Sequence, residues 1–313
     1  MLAPMAGVSD IAFRTLCREQ GADLTFTEMV SAKGLSYANE KTRHLIDLGE
    51  GEDEVAVQLF GHEPDTIADM AAWVEQELGD RLAYIDINMG CPARKIVTKG
   101  DGSALMKDPK LAASIVESAK RAVQHPVTAK FRRGWSDQIG ETAPEFAHIM
   151  EEAGADAVTV HGRYSTQMYH GNADWGTIAR VKDAVGIPVV GNGDIKGGAD
   201  TLAMAEETDC DAVMIARAAE GNPWVFADVK AAIEGVNAPM PPSATERIEA
   251  AKRHVAMLSD LREGRVAPMR KHAAWYVSGM PGAAAARGKF NECSTVDDFF
   301  AVFDEMLERS HAA

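Results

Sequence analysis

Cys91 lies in the stretch YIDINMGCPARK, where an apolar, strand-like run stops and Asn88 and Pro92 flank a thiol. Arg94, Lys95 and Lys99 follow closely, and cations behind a cysteine first suggest a thiolate held ready as a nucleophile. Other apolar runs stop in the same way. Reading them in order, the ends carry Pro4, Met5, Ala6 and Gly7; Glu28; Gln58; Asn88 with Cys91; Lys130 with Arg132; His161 with Arg163; Asn192, Gly193 and Asp194; and Ala216 with Arg217. One polar residue in a loop is ordinary, whereas a polar residue at nearly every strand end is the layout of a site.

The last two ends look made for an anion. GNGDIKGGAD offers backbone N–H groups from a glycine-rich turn before a helix, and ARAAEGNPW repeats the arrangement with Arg217 added. No GxxxxGK[ST] element is present, and no GxGxxG follows a strand. The pattern favours a phosphate-bearing cofactor held by a barrel over a Rossmann-bound dinucleotide or a P-loop nucleotide.

Eight short apolar runs supply those ends: residues 2–7, 22–29, 54–61, 83–90, 126–133, 157–163, 188–195 and 212–217. Amphipathic segments lie between them, including 64–78, 109–123, 142–153 and 197–206, several opened by an Asp or a Pro suited to a first helical turn. This alternation predicts an α/β fold, a (β/α)₈ TIM barrel over residues 1–235. GADAVTVHGR echoes DCDAVMIAR, as repeated units of one barrel would. A proline-rich linker at 236–245 ends the barrel, and residues 246–313 read as a small all-helical domain.

The motifs APMAGVSDIAFR, VQLFG, DINMGCPARK, AKFRRGW, TVHGR, VVGNGDI and GNPW, in this order and spacing, resemble the tRNA-dihydrouridine synthases, most closely their bacterial B branch. MRKHAAWYVSGMPG fits the helical domain of that branch. The resemblance implies FMN at the barrel top, NADPH or NADH as reductant, and particular uridines of tRNA as substrate. It makes Pro4, Met5 and Ala6 one wall of the flavin, Gln58 a partner of its pyrimidine edge, and Lys130 the positive charge near the reduced ring. His161 would pack beside the ring, and Asn192, Gly193, Asp194, Ala216 and Arg217 would hold the phosphate. Cys91 becomes the proton donor to carbon 5 of uracil, a task that suits a neutral thiol. Asn88, Arg132 and Arg163 are candidates to hold the flipped-out base. Arg94, Lys95 and Lys99 then read as a grip on RNA. Two departures stand out: Ala216 occupies a position that is commonly glycine, and the chain starts directly at its first strand, so a less well sealed barrel floor is expected.

The net charge of −15 argues at first against a nucleic-acid partner. From Arg247 to Lys289, however, nine Lys/Arg face three Asp/Glu, so basic charge collects in the late segment. The four cysteines are far apart and read as free thiols, with Cys17 and Cys210 in apolar surroundings and Cys293 in a polar stretch without a role. No metal site and no obligate protein partner is expected. With no long apolar run, a cytoplasmic protein without a membrane partner is the expectation. Two rivals stay open: a flavin barrel acting on a free pyrimidine or other small molecule, and a non-catalytic tRNA-binding protein. Trp275 and Tyr276 are expected in a helix core rather than stacked on bases.

Overall fold

The computed structural model describes residues 1–311, with side chains to Ser310. Seven parallel strands form one sheet in chain order: β1 (Val30–Ser31), β2 (Val55–Phe60), β3 (Leu82–Met89), β4 (Val127–Gly134), β5 (Ala157–Tyr164), β6 (Val189–Asn192) and β7 (Ala212–Met214). Helices run between them, among others Pro64–Leu78, Pro109–Ala122, Ala143–Glu152 and Gly198–Thr208.

The two first expected strands are shorter than their apolar runs suggest. Residues 2–7 contribute a single parallel bridge, Leu2 to Ile215, and 22–29 contribute one from Phe26 to Ala56. Leu2 N–H also donates to the Leu24 carbonyl. These contacts join the sheet's ends, so eight segments close the ring and the (β/α)₈ barrel holds. The run 2–7 turns away early because Val8 and Ser9 N–H bend back onto the Met5 carbonyl. Met1 has its amine buried and bonded to the Val213 carbonyl at 3.0 Å.

Alternation along each strand sorts the side chains into two layers. Val55, Val57, Leu59, Ile85, Ile87, Val127, Phe131, Val158 and Val160 face outward into the main apolar core beneath the helices. The inward positions change character along the strands. Ala3, Phe26, Ala56, Val190 and Met214 pack low in the barrel, with Tyr84 against them. Above them come Gln58, Asp86, Asn88, Thr128, Lys130, Arg132, His161, Arg163 and Asn192, almost all hidden from solvent. So many buried polar groups are tolerable only if each is paired, which makes the barrel top a network.

Four helices follow, Ala244–Leu261, Met269–Tyr276, Ala283–Glu292 and Val296–His311. The first opens inside the stretch read as linker, where Ser243 and Glu246 form a reciprocal capping box. The helices have a core of their own that includes Ile248, Val255, Leu258, Tyr276, Phe290, Phe299 and Phe303. Tyr276 is fully buried, and Trp275 packs onto the barrel core. Cys293 lies in this helical core, contrary to its polar sequence neighbourhood. Among the described residues no helix is long and apolar enough to cross a membrane.

Candidate active site

A cavity of about 710 Å³ opens where the strands end. Fifteen of the seventeen strand-end residues singled out above line it: Pro4, Met5, Ala6, Gln58, Asn88, Cys91, Lys130, Arg132, His161, Arg163, Asn192, Gly193, Asp194, Ala216 and Arg217, whereas Gly7 and Glu28 stand behind its wall.

The Cys91 wall is built by a chain of hydrogen bonds starting in the barrel interior. Asp86, fully buried, accepts from Thr128 Oγ1 and from Gln58 Nε2, each at 2.6 Å. Gln58 Oε1 accepts from Asn88 Nδ2 at 2.7 Å, and Asn88 Oδ1 accepts from the Cys91 N–H at 2.9 Å and the Gly90 N–H at 3.2 Å. The Ser103 N–H and hydroxyl both bind the Cys91 carbonyl at 3.1 Å. Gly102 comes so close to that carbonyl that a Cβ would lie 2.7 Å from it, and its φ of +60° is the left-handed region. The cysteine is thus fixed from both sides. Burial pushes the Cys91 thiol up from its ordinary 9.0, against the Ala93 N–H and the charges of Arg132, Lys95 and Lys130. It stays a thiol at neutral pH.

The adjoining wall is cationic. Burial pushes Lys130 down and Asp86 up, and each holds the other's charge; Lys130 Nζ donates to Asn192 Oδ1 at 3.1 Å. Burial and the surrounding charges of Arg132, Lys130, Arg163 and Arg217 push His161 well below 6.5. Its Nε2 lies 3.2 Å from Arg163 Nη1. A guanidinium only donates, so Nε2 accepts and the proton sits on Nδ1. Lys130, Arg132, Arg163 and Arg217 around a neutral histidine, against Asp194 and Glu220, leave the cavity lining net positive.

Arg163 and Arg132 are less free than expected of substrate contacts. Arg163, 1% exposed, is bound to Asp194 at 2.7 Å, to the His170 and Gly171 carbonyls, and to His161. Arg132 holds the Gly90 carbonyl at 2.8 Å and the Tyr164 and Met168 carbonyls. Asp194 is filled by Arg163, Arg217 and the Ala173 N–H, so it organises its loop through its partners. Arg217 is half exposed and uses one nitrogen on Asp194.

Sequence reading missed Asp86 and Thr128, although each lies two residues from a recognised one and hence on the same strand face. It also missed Tyr169, whose ring has the Arg132 and Arg217 guanidinium carbons 5.4 and 5.3 Å from its centre. Arg94, Lys95 and Lys99 are exposed on the rim. The late basic segment is less positive than its composition implies, because Lys252, Arg253 and Lys289 are paired with Asp304, Glu19 and Glu305 from outside it. Arg270, Lys271 and Arg287 line an open cleft of about 440 Å³ on the helical part.

A profile of the dihydrouridine synthase family matches residues 1–311. A probable tRNA-dihydrouridine synthase of Rickettsia bellii is 39% identical over 98% of this chain and 93% of its own length. tRNA-dihydrouridine synthase B of Pseudomonas aeruginosa is 40% identical over 96% of this chain and 92% of its own. Among solved structures, 6-hydroxypseudooxynicotine amine oxidase from Pseudomonas geniculata N1 superposes with a TM-score of 0.57 at 13% identity, over 90% of this chain and 53% of that one. Histamine dehydrogenase from Rhizobium sp. 4-9 gives 0.51 at 13% identity, over 81% and 47%. The solved structures share the barrel, whereas the match of fold, motifs and length together makes this chain a member of the dihydrouridine synthase family.

Proposed function

We propose that the chain is an FMN-dependent tRNA-dihydrouridine synthase that reduces the 5,6 double bond of uridines in tRNA with electrons from NADPH. The feature that carries the reading is the half-buried Cys91 thiol, held above its ordinary pKa by burial, which opens into the same cavity as Lys130 and Arg217.

The donor set suits a flavin mononucleotide. Arg217 has nitrogens to offer a phosphate, beside the Gly193 turn, where a Cβ would meet Ala173 Cβ at 2.7 Å. Lys130 offers positive charge to the ring, and the Pro4 to Ala6 wall is apolar. Ala216 lines the same end and keeps its backbone N–H. When bound, the flavin supplies hydride to carbon 6 of uracil. Cys91 gives its proton to carbon 5, and the thiolate regains one from water. Lys130, next to Cys91, steadies the thiolate left behind. Neutral His161 and the paired Asp194 keep Arg163 in place, so its role here is positioning. Arg132 holds the Gly90 carbonyl beside the cysteine and presents its edge to the base.

The barrel through residue 235 is the catalytic part and the helices after the linker are the tRNA-binding part. Their cleft with Arg270, Lys271 and Arg287 suits RNA phosphates. We assign the work to the cytoplasm, where tRNA and NADPH are found. The test is NADPH oxidation by FMN-loaded protein in the presence of tRNA lacking dihydrouridine, with the product mapped in the RNA. Turnover of free uridine but not tRNA would return the small-molecule reading, and a protein unable to take up FMN would end the flavin reading.

A further inference from the structure

The helix Met269–Tyr276 faces two ways. Arg270 and Lys271 line the basic cleft with Arg287. Lys271 also reaches the barrel, where its Nζ donates to the Gly7 carbonyl. A Cβ on Gly7 would lie 2.9 Å from that nitrogen, and the Gly7 φ of +71° is left-handed, so glycine is what lets the ammonium seat there.

Gly7 directly follows Pro4, Met5 and Ala6 in the cavity wall. Its N–H donates to Glu28 Oε2, so the turn is gripped by a carboxylate on one side and by Lys271 on the other. Glu28, Asp10 and Glu220 all act on the Lys271 charge, and Glu220 itself lines the cavity. A single side chain therefore belongs both to the cleft on the helices and to the support of the cavity wall in the barrel.

We propose that Lys271 couples the two sites: an RNA phosphate in the cleft and FMN in the cavity are each bound more tightly when the other is present. This rests on the flavin and tRNA reading above. An ammonium has three donors, and the Gly7 carbonyl takes one. A phosphodiester oxygen can take another without displacing it. Pinning the lysine orders the turn behind the cofactor wall, and freedom lost in the first binding is not lost again in the second. Burial pulls the Lys271 pKa below 10.5 against those three carboxylates, and a phosphate adds one more anion that keeps it charged. By linkage the effect is the same in both directions.

The test titrates FMN into flavin-free, full-length protein, followed by quenching of flavin fluorescence, with and without saturating unmodified tRNA. In the unaltered protein tRNA should tighten FMN about fivefold, a common size for coupling between sites. In Lys271→Met the factor should fall to about one. Gly7→Ala, which evicts the ammonium from the barrel side, should do the same. Arg287→Ala should raise the tRNA concentration needed but keep the factor at saturation. FMN binding with a factor near one in the unaltered protein, or an undiminished factor in both Lys271→Met and Gly7→Ala, overturns the inference alone. No FMN binding in any form overturns the flavin reading with it.

Discussion

The barrel mouth and the joint between barrel and helices are both buried and rich in polar groups, and they are built on opposite principles. At the mouth, Asp86, Gln58 and Asn88 are matched at 2.6 to 2.9 Å along the chain that reaches Cys91. At the joint, Asp10, His254 and His272 lie together with Asp10 Oδ2, His254 Nε2 and both His272 nitrogens unpartnered. Unmatched buried groups cost about 1–3 kcal/mol each, and ring packing around them offsets part of that cost. Phe13 stacks on His254 at 5.9 Å, and His254 meets His272 at 4.5 Å between ring centres. Directional bonds fix atoms where chemistry needs them. In this cluster ring packing holds the two parts together without fixing these particular donors, and the directional contacts of the joint come from elsewhere, Lys271 to the Gly7 carbonyl and Arg253 to Glu19. Sequence spacing misses the cluster, since Asp10 is far along the chain from both histidines. Arg262, 3.9 Å from Asp10, and the neighbouring Lys271 already supply positive charge to the carboxylate.

The contrast can be broken most strongly at the mouth. Arg163→Gln removes the buried partner of the Asp194 carboxylate, which keeps Arg217 and the Ala173 N–H, and should cost about 2–3 kcal/mol, the range for hydrogen bonds to a charged group. Urea unfolding of the flavin-free protein measures it, and a loss under ~1 kcal/mol would mean the mouth tolerates unmatched groups as the joint does. Next, Cys91→Ala should retain FMN yet lower dihydrouridine formation about a hundredfold, the usual scale for one general acid. Unchanged single-turnover reduction of tRNA would show that another group delivers the proton.

The joint should answer to pH. Burial pushes His272 well below 6.5, and the charges of His254 and Lys271 add to that. The unfolded chain takes up this proton near pH 6.5 and the folded chain does not. The stability involved is therefore present above 6.5 and is lost as pH falls, by about 1.4 kcal/mol per pH unit until the folded value is reached. His161 responds with the same sign. His272→Gln should flatten the slope measured by unfolding between about pH 6.5 and 5 by one proton's worth; an unaltered slope would place the response at the mouth. The smallest effect is expected on the surface. Arg287→Ala should weaken tRNA binding only several-fold and reduce the salt dependence of affinity by about one phosphate contact.

The cavity-lining residues were legible because strand ends converge in a barrel wherever the exact strands fall. The first two runs show this: they form single bridges, yet Met5 and Ala6 still reach the cavity. Arg163 was legible as a site residue but not as a buried partner of Asp194, since a guanidinium's partners lie on other loops. The excess charge of residues 247–289 misled for the same reason, because Glu19, Asp304 and Glu305 return to it through space.

Alternating apolar runs and turn residues determined the barrel and the helical appendix, because strand period and local backbone preference act over a few residues, and the motif order pointed to the family and so to Cys91 as the candidate acid. Only the tertiary structure decided which donors are already taken, that Asp86 anchors the Cys91 chain, and that Lys271 touches both halves. Hydrogen-bond partners and charges depend on distances across the barrel and the joint, and nothing in the spacing of residues along one chain sets those distances.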